Sequence, residues 1–498
     1  MNQKKIGILL SYGNIIITII TNLIYTPIML KILGQSEYGI YTLSSSLVGY
    51  FSLLYAGLSS TYMRYYFRYK KDNDKGNIYK LNGLFLSLFT ILGIFVFVIM
   101  LVVIYNIEAI LGNKLTVNEY SLIKVLLFIM AINIAIIMPK TVFATLAISK
   151  EKFIFIKSLD LFRGITTPII SLILLYNNFG AVGLSIAVLC CTILDLLFNI
   201  YYCFKYLSNK FYFRNMNFKL LPGMFSFSFF IMLQAVMDQL NWQIGKLVLA
   251  RTSGSESIAV YSVGVQINSL FLMFSAAILG VFSPQIYKLV QEKNAIEKLS
   301  ELFCKVARFQ YFIVFFIWIS FVIFGKSFIF LWAGKGYINS YYVAILLMTP
   351  LIIALTQNIA IEILRAYNKH ALWNIIHLIF AVVNFMISIP LAIYYKEIGT
   401  AIGTCITMGI VTIIIDNIYY KKVIKLDIKK YFLEISKILP TSIIVCLIGI
   451  ILYLNFNINS WLEFFMVILV FSIIYLGCLY YFAFNKFEKM LIKNIRKR

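Results

Sequence analysis

The sequence predicts an all-α integral membrane protein with about fourteen membrane-spanning helices, and three observations carry that reading. Of the 498 residues 61% are hydrophobic and only 13% charged, with a mean hydropathy of +0.89. A water-soluble domain has about a quarter charged residues and cannot hide so much apolar surface in one core. Apolar runs of about twenty residues recur from end to end, each long enough to cross a hydrocarbon layer about 30 Å thick as a helix. Lys and Arg gather on alternate loops. Lipid offers the backbone no hydrogen-bond partners, so runs of this length are helices.

In order, the runs lie at 6–30, 40–62, 81–105, 122–148, 153–176, 181–204, 222–249, 258–283, 306–325, 341–364, 371–395, 398–420, 438–454 and 461–484. The first is too long and too interrupted by polar residues for a cleaved signal peptide, and no small-residue cleavage site follows it. The formal charge is +24, from 44 Lys and Arg against 20 Asp and Glu. Its placement excludes nucleic-acid binding as the explanation. One set of loops holds Lys4 and Lys5, then Arg64 to Lys80, Lys150 to Lys157, Lys205 to Lys219, Lys288 to Lys305, Arg365 and Lys369, Lys421 to Lys437 and the tail from Lys486. The intervening loops hold only Lys31, Lys114, Lys124, Arg251, Lys326, Lys335 and Lys396. Excess positive charge on every second loop places both termini in the cytoplasm for an even number of spans.

The chain also repeats itself. Gly34 to Leu43 matches Gly254 to Val263, Ala147-Ile-Ser-Lys150 matches Ala366-Tyr-Asn-Lys369, and Asn199-Ile-Tyr-Tyr202 returns as Asn417-Ile-Tyr-Tyr420. Three matches in one order at one spacing of about 220 residues predict a duplicated six-helix unit. The expected division is a first lobe at 1–210, a second at 211–430, and two further helices with a basic cytoplasmic tail at 431–498. An even number of spans per copy leaves the two repeats parallel in orientation. The stretch 284–308, with Lys and Glu at helical spacing, is expected to form an amphipathic helix joining them.

Ionisable groups inside spans are costly and mark sites by default. Asp238 falls near the middle of the seventh span, with Gln234, Asn241 and Gly245 at three- and four-residue steps. At the repeat spacing Gln234, Asp238 and Asn241 correspond to Asn14, Thr18 and Thr21 in the first span. These two polar faces are expected to line a water-filled substrate cavity; the alternative is that they join neighbouring helices by hydrogen bonds. Lys140 and Arg163 are candidate cavity cations, although Lys140 can snorkel and Arg163 can pair with Asp160 three residues away. Glu362 with Arg365 reads as a structural pair, and Asp195 and Asp416 as structural carboxylates. Seven cysteines without a CxxC and two histidines give no metal or disulfide framework. The sequence has no P-loop, cofactor motif or nucleophile constellation.

Leu33-Gly-Gln-Ser-Glu-Tyr-Gly-Ile-Tyr41 resembles the signature LG-x-x-x-(Y/F)-G-x-(Y/F) of polysaccharide biosynthesis flippases. Asp238 to Ala250 with Ala259-Val-Tyr-Ser262 resembles the corresponding block of the second half. The resemblance covers spans one to twelve and implies a fold like that of the multidrug-extrusion (MATE) transporters. It also implies translocation of undecaprenyl-pyrophosphate-linked oligosaccharide repeat units to the outer leaflet of a bacterial cell membrane by alternating access. The implied partners are membrane lipids, the lipid-linked oligosaccharide, a coupling proton or sodium ion taken up at Asp238, and a polymerase and glycosyltransferases. A multidrug or organic-cation antiporter on the same fold is the alternative, although span one lacks the carboxylate many such antiporters carry. A membrane enzyme of glycan assembly would need a large outer loop that the sequence does not contain.

Overall fold

The computed structural model describes residues 3–207, 209–214, 218–486 and 488–490, and not every side chain within α-helical stretches of these. Among the described residues every element is helical, as a backbone in lipid requires. The first helices are α1 (Gln3–Phe51), α2 (Leu53–Lys71), α3 (Lys75–Tyr105), α4 (Ile107–Leu111), α5 (Val117–Ser149), α6 (Phe153–Tyr176), α7 (Gly180–Lys205) and α8 (Leu221–Thr252). They are followed by α9 (Ser255–Leu289), α10 (Ala295–Trp332), α11 (Asn339–Thr356), α12 (Asn358–Ala366) and α13 (His370–Ile410). The chain ends in α14 (Asp416–Val423), α15 (Ile428–Ser436), α16 (Leu439–Asn455) and α17 (Trp461–Cys478).

Ten helical segments among the described residues are long and apolar enough to cross a bilayer, against fourteen spans expected. Part of the difference is that two of the ten are double length. The segment His370–Val423 has 54 residues, about 80 Å at 1.5 Å per residue, and breaks at Lys396, where φ is 49°. Helix α1 has 49 residues and breaks at Gly34, where φ is 70°, a conformation that favours glycine. The stretch 284–308 is not a separate helix. It is the end of α9, a turn at 290–294 and the first turns of α10, because its charged helical spacing runs on into the apolar helices on either side.

Contacts divide the chain into two compact units, Met1–Ala259 and Val260–Arg498. In the first unit α8 packs on α2 closely enough that a Cβ at Gly57 would meet the Ser228 backbone, and Thr61 Oγ1 lies 2.7 Å from Ser228 Oγ. Contact thus places α8 with the first unit, whereas the sequence repeat begins a new copy there. The segment Leu33 to Tyr41 organises this unit. The Ser255 hydroxyl donates to Ser36 Oγ at 3.2 Å, and Ser36 Oγ donates to Glu119 Oε1 at 2.6 Å. A Cβ on Gly39 would run into the Ser255 carbonyl. Glu37 Oε1 accepts from the Ala181 N–H at 2.6 Å, placing a carboxylate at the N-terminus of α7. Glu37→Ala is expected to cost about 1 kcal/mol, the usual worth of a helix cap, read as a lower thermal unfolding midpoint in detergent. An unchanged midpoint would show that the contact contributes nothing.

In the second unit α10, α16 and α17 share an aromatic core that includes Tyr311, Phe315, Phe324, Phe471 and Tyr475. The capping box of Ser460 and Glu463 starts α17, and Gly449 lets α16 approach Ile323 and Phe471.

Candidate functional site

Helices α1 and α6 lie against each other in the first unit. They are in contact near their starts, where the Ile154 N–H donates to Gln3 Oε1 at 3.3 Å and a Cβ at Gly7 would strike Phe153. Further along, their facing sides are polar, and a cavity of about 500 Å³ opens there. Its wall is Asn14, Thr18, Thr21 and Asn22 of α1 with Asp160, Arg163, Gly164, Thr167 and Pro168 of α6. Both sets follow steps of three and four residues, so each is one helix face. Gly164 removes the side chain that would otherwise fill the space beneath the Asn14 amide, whose Oδ1 lies 3.6 Å from where its Cβ would be. Pro168 has no N–H to give the Gly164 carbonyl four residues back, so that acceptor loses its helical donor at the cavity wall. Thr167 Oγ1 is buried with no hydrogen-bond partner among the described residues.

The charges in this wall are not arranged as the three-residue spacing of Asp160 and Arg163 implies. Asp160 Oδ2 pairs with Lys157 Nζ at 2.9 Å, one turn back rather than one turn on. Arg163 has no carboxylate within ion-pair distance among the described residues. Among the described residues the cavity therefore presents a guanidinium whose five donors have no partner, amid hydroxyls and amides that both donate and accept.

The structure brings Asn14, Thr18, Thr21 and Arg163 to this one place. It puts Lys140 elsewhere: Nζ lies 2.5 Å from Asp195 Oδ2, with the two side chains 15% and 11% exposed. Asn199 Nδ2 completes that group by donating to Asp195 Oδ1 at 2.8 Å. Asn241 is half-buried on α8 and is not part of the cavity wall as described. The side chains of Gln234 and Asp238 lie outside the described residues, as does most of the basic tail. Glu362 and Arg365 form their expected pair at 2.5 Å.

Sequence reasoning missed Asn22 and Thr167 as cavity residues, although both continue the helical spacing of the stripes beside them. It also missed the partners of Asp416. In the second unit, Asp416 Oδ1 accepts from Trp373 Nε1 at 2.8 Å and lies 3.0 Å from His377 Nε2. A π-helical turn at Val411–Ile415 immediately precedes this aspartate.

Other hollows differ in kind. A cavity of about 200 Å³ between the C-terminal part of α1, α5 and α7 is lined by Tyr41, Ser45, Asn133 and Ser185 with aliphatic neighbours. In the second unit, two apolar hollows of about 280 and 330 Å³ flank Phe316, lined chiefly by aromatic side chains of α10 and residues of α17. Among the described residues, no three His, Cys, Asp or Glu come together as a group able to hold a metal ion.

Comparison with solved structures places this helical arrangement. The chain superposes on the lipid II flippase MurJ in an inward closed conformation with a TM-score of 0.71 at 17% identity, over 95% of this chain and 97% of that one. It superposes on a multidrug resistance MATE family transporter of the MOP superfamily, inward-facing, with a TM-score of 0.66 at 16% identity, over 83% and 99% of the two chains. A MOP superfamily transporter from Pyrococcus furiosus, described as having a binding pocket of reversed polarity, gives a TM-score of 0.57 at 15% identity over 84% and 96%. At these identities the likeness is one of fold. A search of curated proteins by sequence finds no match. The sequence profile of polysaccharide biosynthesis proteins matches residues 4–290, more than half of the chain, and this multi-pass membrane protein belongs to that family.

Proposed function

We propose that the chain carries undecaprenyl-pyrophosphate-linked oligosaccharide repeat units from the cytoplasmic to the outer leaflet of a bacterial plasma membrane, for surface polysaccharide assembly. The carrier works by alternating access coupled to a proton or sodium gradient, with both termini in the cytoplasm, and serves a polymerase and glycosyltransferases. The observation that carries the reading is the α1–α6 cavity, with Asn14, Thr18, Thr21, Asn22 and Thr167 around Arg163, which has no ion pair among the described residues. Sugar hydroxyls need partners that donate and accept, and phosphate or carboxylate oxygens suit a guanidinium fork. The aromatic hollows of the second unit offer apolar surface to a hydrocarbon chain. Family membership and the fold shared with a lipid II flippase support the same reading.

A multidrug or organic-cation antiporter is favoured by the fold shared with the multidrug-resistance transporters. The cavity weighs against it, because its carboxylate is already taken by Lys157 and Arg163, with no ion pair among the described residues, leaves it positive. An organic cation would meet the wrong sign.

The test is complementation of a strain that lacks its own repeat-unit flippase, with membrane levels checked by immunoblot. Restored surface polysaccharide is expected. Lipid-linked units that stay on the inner leaflet at normal protein levels would overturn the proposal. In the same assay Asp238→Asn, which removes the proposed ion-coupling carboxylate, is expected to reduce translocation sharply. Full assembly by that variant at native expression would remove Asp238 from the mechanism.

A further inference from the structure

The stretch from the last turn of α14 to the start of α16 holds six lysines in the seventeen residues 421–437: Lys421, Lys422, Lys425, Lys429, Lys430 and Lys437. All six are exposed. A turn with Lys425 at φ 56° ends α14 and leads into α15, which is fixed by its inner face. There Ile428 and Tyr431 are buried, the Tyr431 ring stacks on Phe303 with centroids 5.1 Å apart, and its hydroxyl lies 2.7 Å from Thr356 Oγ1.

The acids of this segment are occupied. Glu434 Oε2 is held by Arg308 Nη1 at 3.1 Å and its Oε1 by Lys437 Nζ at 2.5 Å. Asp427 Oδ1 caps α15 by accepting the Lys430 N–H at 2.9 Å. Lys421, Lys422, Lys425, Lys429 and Lys430 have no ion pair among the described residues. Beside them on the outward face of α15 stand two exposed apolar side chains, Phe432 at 40% and Leu433 at 54%.

We infer that α15 with the end of α14 is a binding surface for anionic phospholipid headgroups. The pattern decides between partners. A soluble acidic protein or free anion would be served by the lysines alone, whereas exposed Phe432 and Leu433 between them suit a surface that is charged at the phosphates and apolar a few ångströms deeper. Helix α15 opens the apolar segment Ile428–Asn455, which follows soon after the segment His370–Val423 ends, so it stands at the turn between two candidate spans. Its fixed inner face presents the lysines without further ordering.

The experiment is native mass spectrometry of the full-length protein in detergent, with phosphatidylglycerol or phosphatidylcholine added. Wild type is expected to retain phosphatidylglycerol preferentially. The variant K421Q/K425Q/K429Q/K430Q is expected to retain it about tenfold or more weakly. F432S/L433S is expected to weaken retention without changing the charge. A control in which Lys70, Lys71 and Lys75 at the end of α2 and start of α3 become Gln should match wild type. Equal retention by the quadruple variant, an equal loss in the control, or full displacement of the lipid by inorganic phosphate would each overturn the inference. Only exposed lysines change in the first variant, and an unaltered thermal midpoint confirms that it is folded.

Discussion

Arg308→Met is expected to destabilise the second unit by about 3–5 kcal/mol, the cost of removing one partner from a buried ion pair. Arg308 is 4% exposed on α10, and all five of its N–H donors are used. Nε donates to Glu488 Oε1 at 2.8 Å, and Nη2 donates to Glu488 Oε2 and the Ala483 carbonyl, each at 3.0 Å. Nη1 donates to Glu434 Oε2 at 3.1 Å and to the Glu434 carbonyl at 3.2 Å. The residue therefore fastens α15 and the chain after α17 to α10. Methionine keeps much of the volume but leaves Glu488, 3% exposed, as a buried carboxylate without its counter-charge. Removing both charges in R308M/E488Q should recover part of the loss, because the penalty comes mainly from the orphaned partner. Thermal unfolding in detergent reads both variants. A single variant within about 1 kcal/mol of wild type, or a double variant with no recovery, would show that the cluster is not a coupled buried pair.

Arg308 also shows what could be read from the sequence. The helices could: apolar runs of membrane length leave the backbone one solution, and the matching segments around Gly34 and at Asn-Ile-Tyr-Tyr are visible without any knowledge of contacts. The polar face of α1 could be read too, since Asn14, Thr18 and Thr21 are local in sequence. Charge partners could not. Arg308 reaches Glu488 across 180 residues and Lys140 reaches Asp195 across 55, while Asp160 chose the lysine behind it over the arginine ahead. Spacing on one helix gives several candidate partners at equal distance, and only packing chooses among them.

The repeat makes the same point from another side. Asp195 precedes Asn199 of Asn-Ile-Tyr-Tyr by four residues and Asp416 precedes Asn417 by one, so the two carboxylates stand at different places relative to the repeated motif. The first is held by a lysine from α5, and the second by an indole N–H and an imidazole from α13. The carboxylates near the repeated motif differ both in position and in partner. A motif that recurs in sequence thus says neither where the charges beside it lie nor what they touch.

Arg163→Gln is expected to reduce translocation by about 10- to 100-fold at unchanged membrane levels. The figure follows from the 1.5–3 kcal/mol typical of a hydrogen bond to a charged group, at about 1.4 kcal/mol per factor of ten. A loss of function of that size need not involve a loss of fold. Asp160 keeps Lys157 as its partner when Arg163 is neutralised, so no buried carboxylate is orphaned and the thermal midpoint should stay where it is. Arg163→Lys keeps the charge but not the planar fork, and should recover only part of the transport. Thr167→Val removes one unpartnered hydroxyl from the same wall and should cost less than the loss of the charge. Transport of lipid-linked repeat units in reconstituted vesicles, with unfolding measured in parallel, separates the outcomes. If Arg163→Gln unfolds at lower temperature, or transports at the wild-type rate, the guanidinium serves the packing of α6 and not the cargo.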